Sequence, residues 1–155
     1  MKININTNIN NNLKDDEIEV IINASNNSEY LNKIIQSIQS ISDNIDTIVG
    51  SKDNSLSILN IQDIICFYSR EQNNYCKTKN GEFRIKKKLY ELEESLPQKS
   101  FIRISNSCIA NVEHIESFDL SKIGNIIIKF VDGSIEYVSK RKISSIMKFL
   151  RERGN

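Results

Sequence analysis

From Ser55 onward the chain is divided into strand-length runs rich in β-branched and aromatic residues: LSIL, IICFY, YCKT, EFRI, FIRI, the segment Cys108 to Ala110, HIES, NIIIKFV and SIEYV. Turn residues separate them, and Asn80-Gly81 and Asp132-Gly133 are hairpin signals, because a type I′ turn needs left-handed angles that Asn, Asp and Gly accept cheaply. This pattern predicts mainly antiparallel β structure. Two segments interrupt it with helical spacing. The first, Lys87 to Leu96, places Leu89, Leu92 and Leu96 on one face and is stopped by Pro97. The second, about Lys140 to Arg151, buries Ile143, Ile146, Met147 and Leu150, with Ser139 placed as its N-cap. The expected fold class is α+β.

The part before Ser55 reads differently. Its first dozen residues are Asn-rich and expected to fray, although Ile3, Ile5 and Ile9 could supply an edge strand. Glu19 to Ile22 reads as a short strand. Asn26, Asn27 and Ser28 offer N-caps to a helix from about Glu29 to Ser42, whose stripe is Leu31, Ile34, Ile35, Ile38 and Ile41. A lone strand and helix bury too little to be stable, so this stripe packs on the main domain or on a second copy of itself. Charge divides at the same place. Residues 1–55 carry a net −4 and residues 56–155 a net +5, within a chain of net +1. The expected organisation is an acidic N-terminal strand-helix extension, 1–55, ahead of a basic domain, 56–155, able to hold a polyanion; chance asymmetry is the other reading.

Several function classes recede on composition. No apolar run approaches the roughly 18 residues of a membrane span, and MKININTNINNN lacks the apolar stretch of a signal peptide, so a cytoplasmic location is expected. Cys66, Cys76 and Cys108 have no C-x-x-C spacing and only His114 for company, which argues against a metal site. Cys66 and Cys108 lie in apolar surroundings that suit core thiols, with redox sensing at Cys108 as the alternative. There is no Gly-rich phosphate loop, nucleophile elbow or pair of carboxylates set for acid–base work, so no cofactor, no small-molecule substrate and no enzymatic activity are expected. His114, beside Ile115, reads as structural.

The start of the last helix breaks a local rule. Lys140, Arg141 and Lys142 fill the first turn, where the helix dipole disfavours cations by roughly 0.3 to 1 kcal/mol each. Such violations tend to fall at functional sites, and free amides with three cations make a phosphate seat.

Taken in order, Asp63, Ile64, Ile65 and Phe67, the Asn80-Gly81 hairpin, KKLYELEESLP, FIRISNSCIAN from Phe101 to Asn111 and VSKRK from Val138 to Lys142 resemble the LytTR family of bacterial DNA-binding domains, over residues 56 to 150. The sequence departs at Ser105 and Asn74, where family members carry His or Lys and His, respectively. The resemblance implies a β scaffold without a helix-turn-helix, whose loops enter successive major grooves. The implied reading loops are Ser69 to Asn74, Arg103 to Ser107 and Ser139 to Lys142, with Asn74, Asn106 and Arg141 at base-contacting positions. Their chemistry fits, since Asn bonds bidentately to adenine and Arg to guanine. Ser105, Ser107, Ser139, Lys140 and Lys142 suit phosphates, as do Arg70, Lys77 and Lys79 near the first loop. Arg103 is either a phosphate ligand or a brace for its loop. Asn106 can alternatively shape an Asx turn, and Lys86 to Lys88 read as a solvated helix start or a DNA contact.

On this reading the chain is a response-regulator-like transcription regulator that binds double-stranded DNA at repeated half-sites. About 55 residues cannot hold a receiver domain, so phosphorylation is not the expected input. Short members of the family are often controlled by a membrane protein encoded nearby, and a homodimer is one use for the N-terminal extension. The competing expectation is a non-catalytic RNA- or protein-binding β module, for which Tyr68 and Tyr75 are the plausibly placed aromatics.

Overall fold

The structure, a computed structural model, describes residues 19–25, 29–43, 45–121 and 125–154, with side chains left out for 39–43. The chain divides into two compact units, 1–37 and 38–155. In the first, Glu19 to Ile22 has no regular structure and is exposed, contrary to the expected strand: no described strand lies beside it to bond its peptide groups. The edge strand considered at Ile3, Ile5 and Ile9 falls outside the described residues. Helix α1 (Glu29–Asp43) occupies the predicted span, with an i,i+4 pair between Glu29 and Lys33.

The second unit is built on two antiparallel sheets. The larger contains β1 (Thr47–Lys52), β2 (Ser55–Asn60), β3 (Ile64–Arg70), β4 (Asn73–Thr78), β5 (Gly81–Ile85), β6 (Phe101–Ser105) and β7 (Cys108–Asn111), in the order β2-β1-β5-β4-β3-β7-β6. The smaller contains β8 (Ile115–Asp119), β9 (Ile126–Phe130) and β10 (Ile135–Val138), in the order β10-β9-β8. Helix α2 (Leu89–Ser95) precedes β6, and α3 (Ile143–Arg153) follows β10.

β3 shows why the molecule has two cores. Ile64, Ile65, Cys66 and Phe67 are all buried, a continuous run expected of a strand covered on both faces. Ile64 and Phe67 pack with Ile48, Phe83, Leu89, Leu92, Leu96 and Phe101 under α2. Ile65 and Cys66 pack with Ile104, Cys108, Ile126, Ile128, Phe130 and Ile146, where the small sheet and α3 meet the large one. Burying each such aliphatic or aromatic side chain contributes about 1.5 to 3 kcal/mol.

β1 lies ahead of the charge boundary, yet it is a full member of the large sheet, paired with β2 over all six residues and with β5 at Gly50 and Ser51. Gly50 permits that packing: a Cβ there would lie 2.7 Å from the Phe83 Cβ and 2.9 Å from the Leu59 Cδ1.

The hairpins form where expected but by a different turn geometry. At Asn80-Gly81 and Asp132-Gly133 only the glycines have positive φ, +116° and +82°, so neither is a type I′ turn. Consecutive left-handed residues occur instead at Asp53-Asn54 and at Glu71-Gln72 (φ 50° and 63°). Glu and Gln are poorly suited to that region, which makes the β3–β4 turn a locally strained one.

Candidate nucleic-acid interface

Two backbone hydrogen bonds assemble one end of the second unit. The Ser69 amide at the end of β3 donates to the Ser107 carbonyl at 2.9 Å, joining the β3–β4 turn to the β6–β7 turn. The Ser139 amide donates to the Ile104 carbonyl at 2.9 Å, fixing the segment after β10 beside the same β6–β7 turn. The three predicted loops, dispersed over some seventy residues of sequence, therefore share one end of the fold.

Asn106 and Ser107 form the exposed β6–β7 turn. The turn is held from inside. Ser105 Oγ accepts from the Ser107 amide at 3.2 Å and lies 3.3 Å from Ser107 Oγ. Arg103 spends its guanidinium there: Nε donates to the Ser105 carbonyl at 2.6 Å, one terminal nitrogen donates to the Asn106 carbonyl, and the other donates to Glu93 at 3.1 Å. Its side chain is only 14% exposed. Of the two roles open to Arg103, the geometry favours the brace, because three of its five N–H donors are engaged within the fold and its side chain is largely covered. The Asn106 carbonyl is thereby pinned, while its carboxamide is left without a partner among the described residues.

Lys140, Arg141 and Lys142 form a 3-10 turn, and α3 begins only at Ile143. Ser139 is consequently not the cap of α3, and its side chain makes no capping hydrogen bond; its carbonyl accepts from the Lys142 amide at 2.8 Å. Inserting this turn moves the three cations off the first α-helical turn. Lys140 and Arg141 are exposed without a carboxylate partner among the described residues, and Lys142 lies 4.0 Å from Glu93.

Asn74 is placed differently from expectation. It is 8% exposed; its Nδ2 donates to the Lys87 carbonyl at 3.0 Å and its Oδ1 accepts from Ser69 Oγ. Both amide atoms are used inside the sheet, so Asn74 ties the first loop to the chain entering α2 rather than presenting itself to a base. The groups at the loop's tip are Glu71 and Gln72, both exposed, with Asn73 beside them. Strand parity, which a sequence leaves free by one residue, decides between neighbouring asparagines.

Lys77 and Lys79 are also displaced from the assembled end. β4 runs away from its turn at about 3.4 Å per residue, which carries Lys77 roughly 17 Å from Gln72. There its Nζ bonds Asp132 Oδ2 at 2.9 Å, tying the large sheet to the β9–β10 turn. Lys79 lies in the β4–β5 turn at that far end. Arg70 stays near the assembled end, its guanidinium over the Tyr75 ring at 5.0 Å and 3.4 Å from Glu82. Tyr68 and Tyr75 stack on each other at 5.5 Å, so the face each ring turns to the other is closed to an unpaired base.

The thiols are core groups. Cys66, Cys76 and Cys108 are free and buried. Burial pushes the Cys76 thiol up to about 12, and contact with Cys66, with burial, raises Cys108 well above its ordinary value. His114 sits in a 3-10 turn with Nε2 2.7 Å from the Gln62 carbonyl, the structural role expected of it.

Residues 54–151 match the model of the family described as LytTr DNA-binding domain. A protein of Staphylococcus aureus (strain MSSA476) described as an uncharacterized HTH-type transcriptional regulator is 36% identical over 139 residues, covering 90% of this chain and 93% of that one. A similarly described protein of strain N315 is 35% identical over 150 residues, covering 97% and 98%. In three dimensions, the LytTr DNA-binding domain of a protein described as a methyl-accepting/DNA response regulator from Bacillus cereus superimposes with a TM-score of 0.66 at 22% identity, covering 68% of this chain and 97% of that chain. The relatives are labelled helix-turn-helix, but among the described residues here no two helices are joined by a short turn: β6 to β10 separate α2 from α3.

Proposed function

This chain belongs to the LytTR family of DNA-binding domains, and from that premise we propose that it regulates transcription by reading duplex DNA with the loops at the assembled end. The observation that carries this reading is the coincidence, at one end of the β scaffold, of an exposed Asn106 carboxamide and an exposed Arg141 guanidinium, neither with a partner among the described residues. Asn106 suits adenine and Arg141 suits guanine in the major groove. Ser107, Lys140 and Lys142 suit the flanking phosphates, with Ser105 and Ser139 holding the loop backbones. Asn74 and Arg103 act as braces, and Arg70 contributes positive potential from its stacked position.

The mode of action is non-catalytic and places the protein in the cytoplasm, where it meets DNA. No described helix is long and apolar enough to cross a membrane. The residues ahead of β1 serve as an acidic extension that pairs two copies on repeated half-sites, and a membrane protein encoded nearby supplies the input. Sedimentation of the full chain against one lacking residues 1–37 tests the pairing; identical oligomeric states remove it. The stacked Tyr68 and Tyr75 weigh against the single-stranded RNA alternative. Fluorescence anisotropy on duplex from upstream of the protein's own gene, against scrambled duplex at several salt concentrations, tests the function. Preferential binding with a steep salt slope is expected; equal weak binding to both would count against sequence-specific reading.

A further inference from the structure

A second surface lies beside the reading loops. Between the β3–β4 turn and the chain leaving β5 is a groove of about 400 Å³, lined by Gln72, Asn73, Arg84, Lys86 and Lys88 over Asn74. Its cations are not balanced: Arg84, Lys86 and Lys88 are exposed and have no carboxylate salt-bridge partner among the described residues. The groove is also built rather than incidental. The Arg84 guanidinium donates to Asn73 Oδ1, Asn73 Nδ2 donates to the Glu71 carbonyl at 3.1 Å, and the Asn74 amide fixes the Lys87 carbonyl between the two lysines at 3.0 Å. These contacts lock the lysine-bearing segment to the loop that approaches DNA.

We infer that this groove seats the sugar–phosphate backbone of the same duplex, through Lys86 and Lys88, and so extends the footprint beyond the three reading loops. The inference rests on the DNA-reading role proposed above. Geometry supports it, because the strands at the assembled end follow the order β6-β7-β3-β4-β5 reversed from the sheet edge. At about 4.8 Å per strand, β5 stands roughly 19 Å from β6. That span exceeds the roughly 12 Å width of a major groove, so where the row crosses a groove its far end meets backbone rather than base edges. A bare lysine pair there supplies point charges, which hold phosphates without reading bases.

The test uses the full chain and the double variant Lys86→Ala/Lys88→Ala, titrated by anisotropy at several salt concentrations on random-sequence duplex and on the upstream duplex. Both lysines are exposed and outside the cores, and circular dichroism checks that the fold is retained. Each phosphate contact contributes about 0.9 to the slope of log affinity against log salt, so the variant should lose about 1 to 2 from the slope on both duplexes. Its preference for the upstream duplex over random sequence should match wild type. An unchanged slope overturns the inference, whatever the wild-type protein shows. A reduced slope together with no wild-type preference upholds the phosphate seat and counts instead against sequence-specific reading. A preference altered by the double variant, with the slope intact, assigns these lysines to base recognition and overturns the backbone assignment.

Discussion

Arg103 and Asn106 are joined across the β6–β7 turn by a hydrogen bond from the guanidinium to the Asn106 carbonyl, so the residue presented outward is positioned by the residue held inward. The same guanidinium bonds the Ser105 carbonyl and Glu93, coupling the turn to α2. Hydrogen bonds to a charged group contribute about 1.5 to 3 kcal/mol, and Arg103→Ala should destabilise the fold by that order in urea unfolding. Lysine cannot reproduce the planar fork, so Arg103→Lys should recover little. DNA affinity should fall with the loop's order while the salt slope stays at the wild-type value. A slope reduced by about 1 would instead make Arg103 a phosphate ligand.

Asn74 and Asn106 should separate cleanly. Asn74→Ala leaves the Lys87 carbonyl and Ser69 hydroxyl without their partner in a partly buried setting, and a stability loss of about 1 kcal/mol is expected. Asn106→Ala touches only an exposed side chain and should change stability by less than about 0.5 kcal/mol, while weakening binding to the preferred duplex by about 1 to 3 kcal/mol. Thermal unfolding and anisotropy on the two variants decide the assignment. An unstable Asn106→Ala with unaltered specificity would assign that residue to the turn.

The buried thiols should be silent in the folded protein. With Cys76 raised to about 12 and Cys108 also raised, thiolate is scarce near neutral pH and access is closed. An aromatic disulfide reagent should therefore label none of the three rapidly until denaturant is added. Rapid labelling of Cys108 in native protein would restore a redox role for it.

Asp132 gives stability a defined acid limit. Burial pushes its carboxyl up, but hydrogen bonds from Ser134 and from Lys77 outweigh this and hold it at about 2, below its ordinary 3.8. A depressed value means the unfolded chain binds the proton more readily. The contribution is thus fully present above pH about 4 and is lost as pH falls toward 2. Asp132→Asn should cost about 1 kcal/mol near neutrality, allowing for solvent screening, and should flatten unfolding free energy between pH 4 and 2 relative to wild type. A parallel pH profile for the variant would assign the acid limit to other carboxylates.

Much of the fold was legible because its signals are local. Runs such as IICFY and EFRI carry strand composition, and Leu89, Leu92 and Leu96 carry helical spacing. β1 was missed because Gly50, Ser51 and Lys52 dilute that composition, and its place depends on Gly50 lying against Phe83. Glu19 to Ile22 has strand composition but no partner in the described residues. Tertiary position was less legible. Choosing Asn73 over Asn74 as the outward residue requires the register, and recognising that Lys77 points to Asp132 requires knowing which way β4 runs. Asn111, the last residue of the FIRISNSCIAN stretch, is buried, with Nδ2 donating to the Ile64 carbonyl at 2.8 Å. Part of that signature therefore marks the scaffold. Asn106 and Arg141 stood out through the family resemblance, and their exposure is the structural support for it.

In the proposed reading, the exposed Arg141 on the 3-10 turn before α3 contacts a base. Anisotropy with Arg141→Ala beside wild type, on upstream and scrambled duplex at one fixed salt concentration, addresses it directly. A loss of about 1 to 3 kcal/mol is expected on the upstream duplex and a much smaller loss on the scrambled one, so that discrimination falls. An equal loss on both duplexes, or none on either, would contradict that reading.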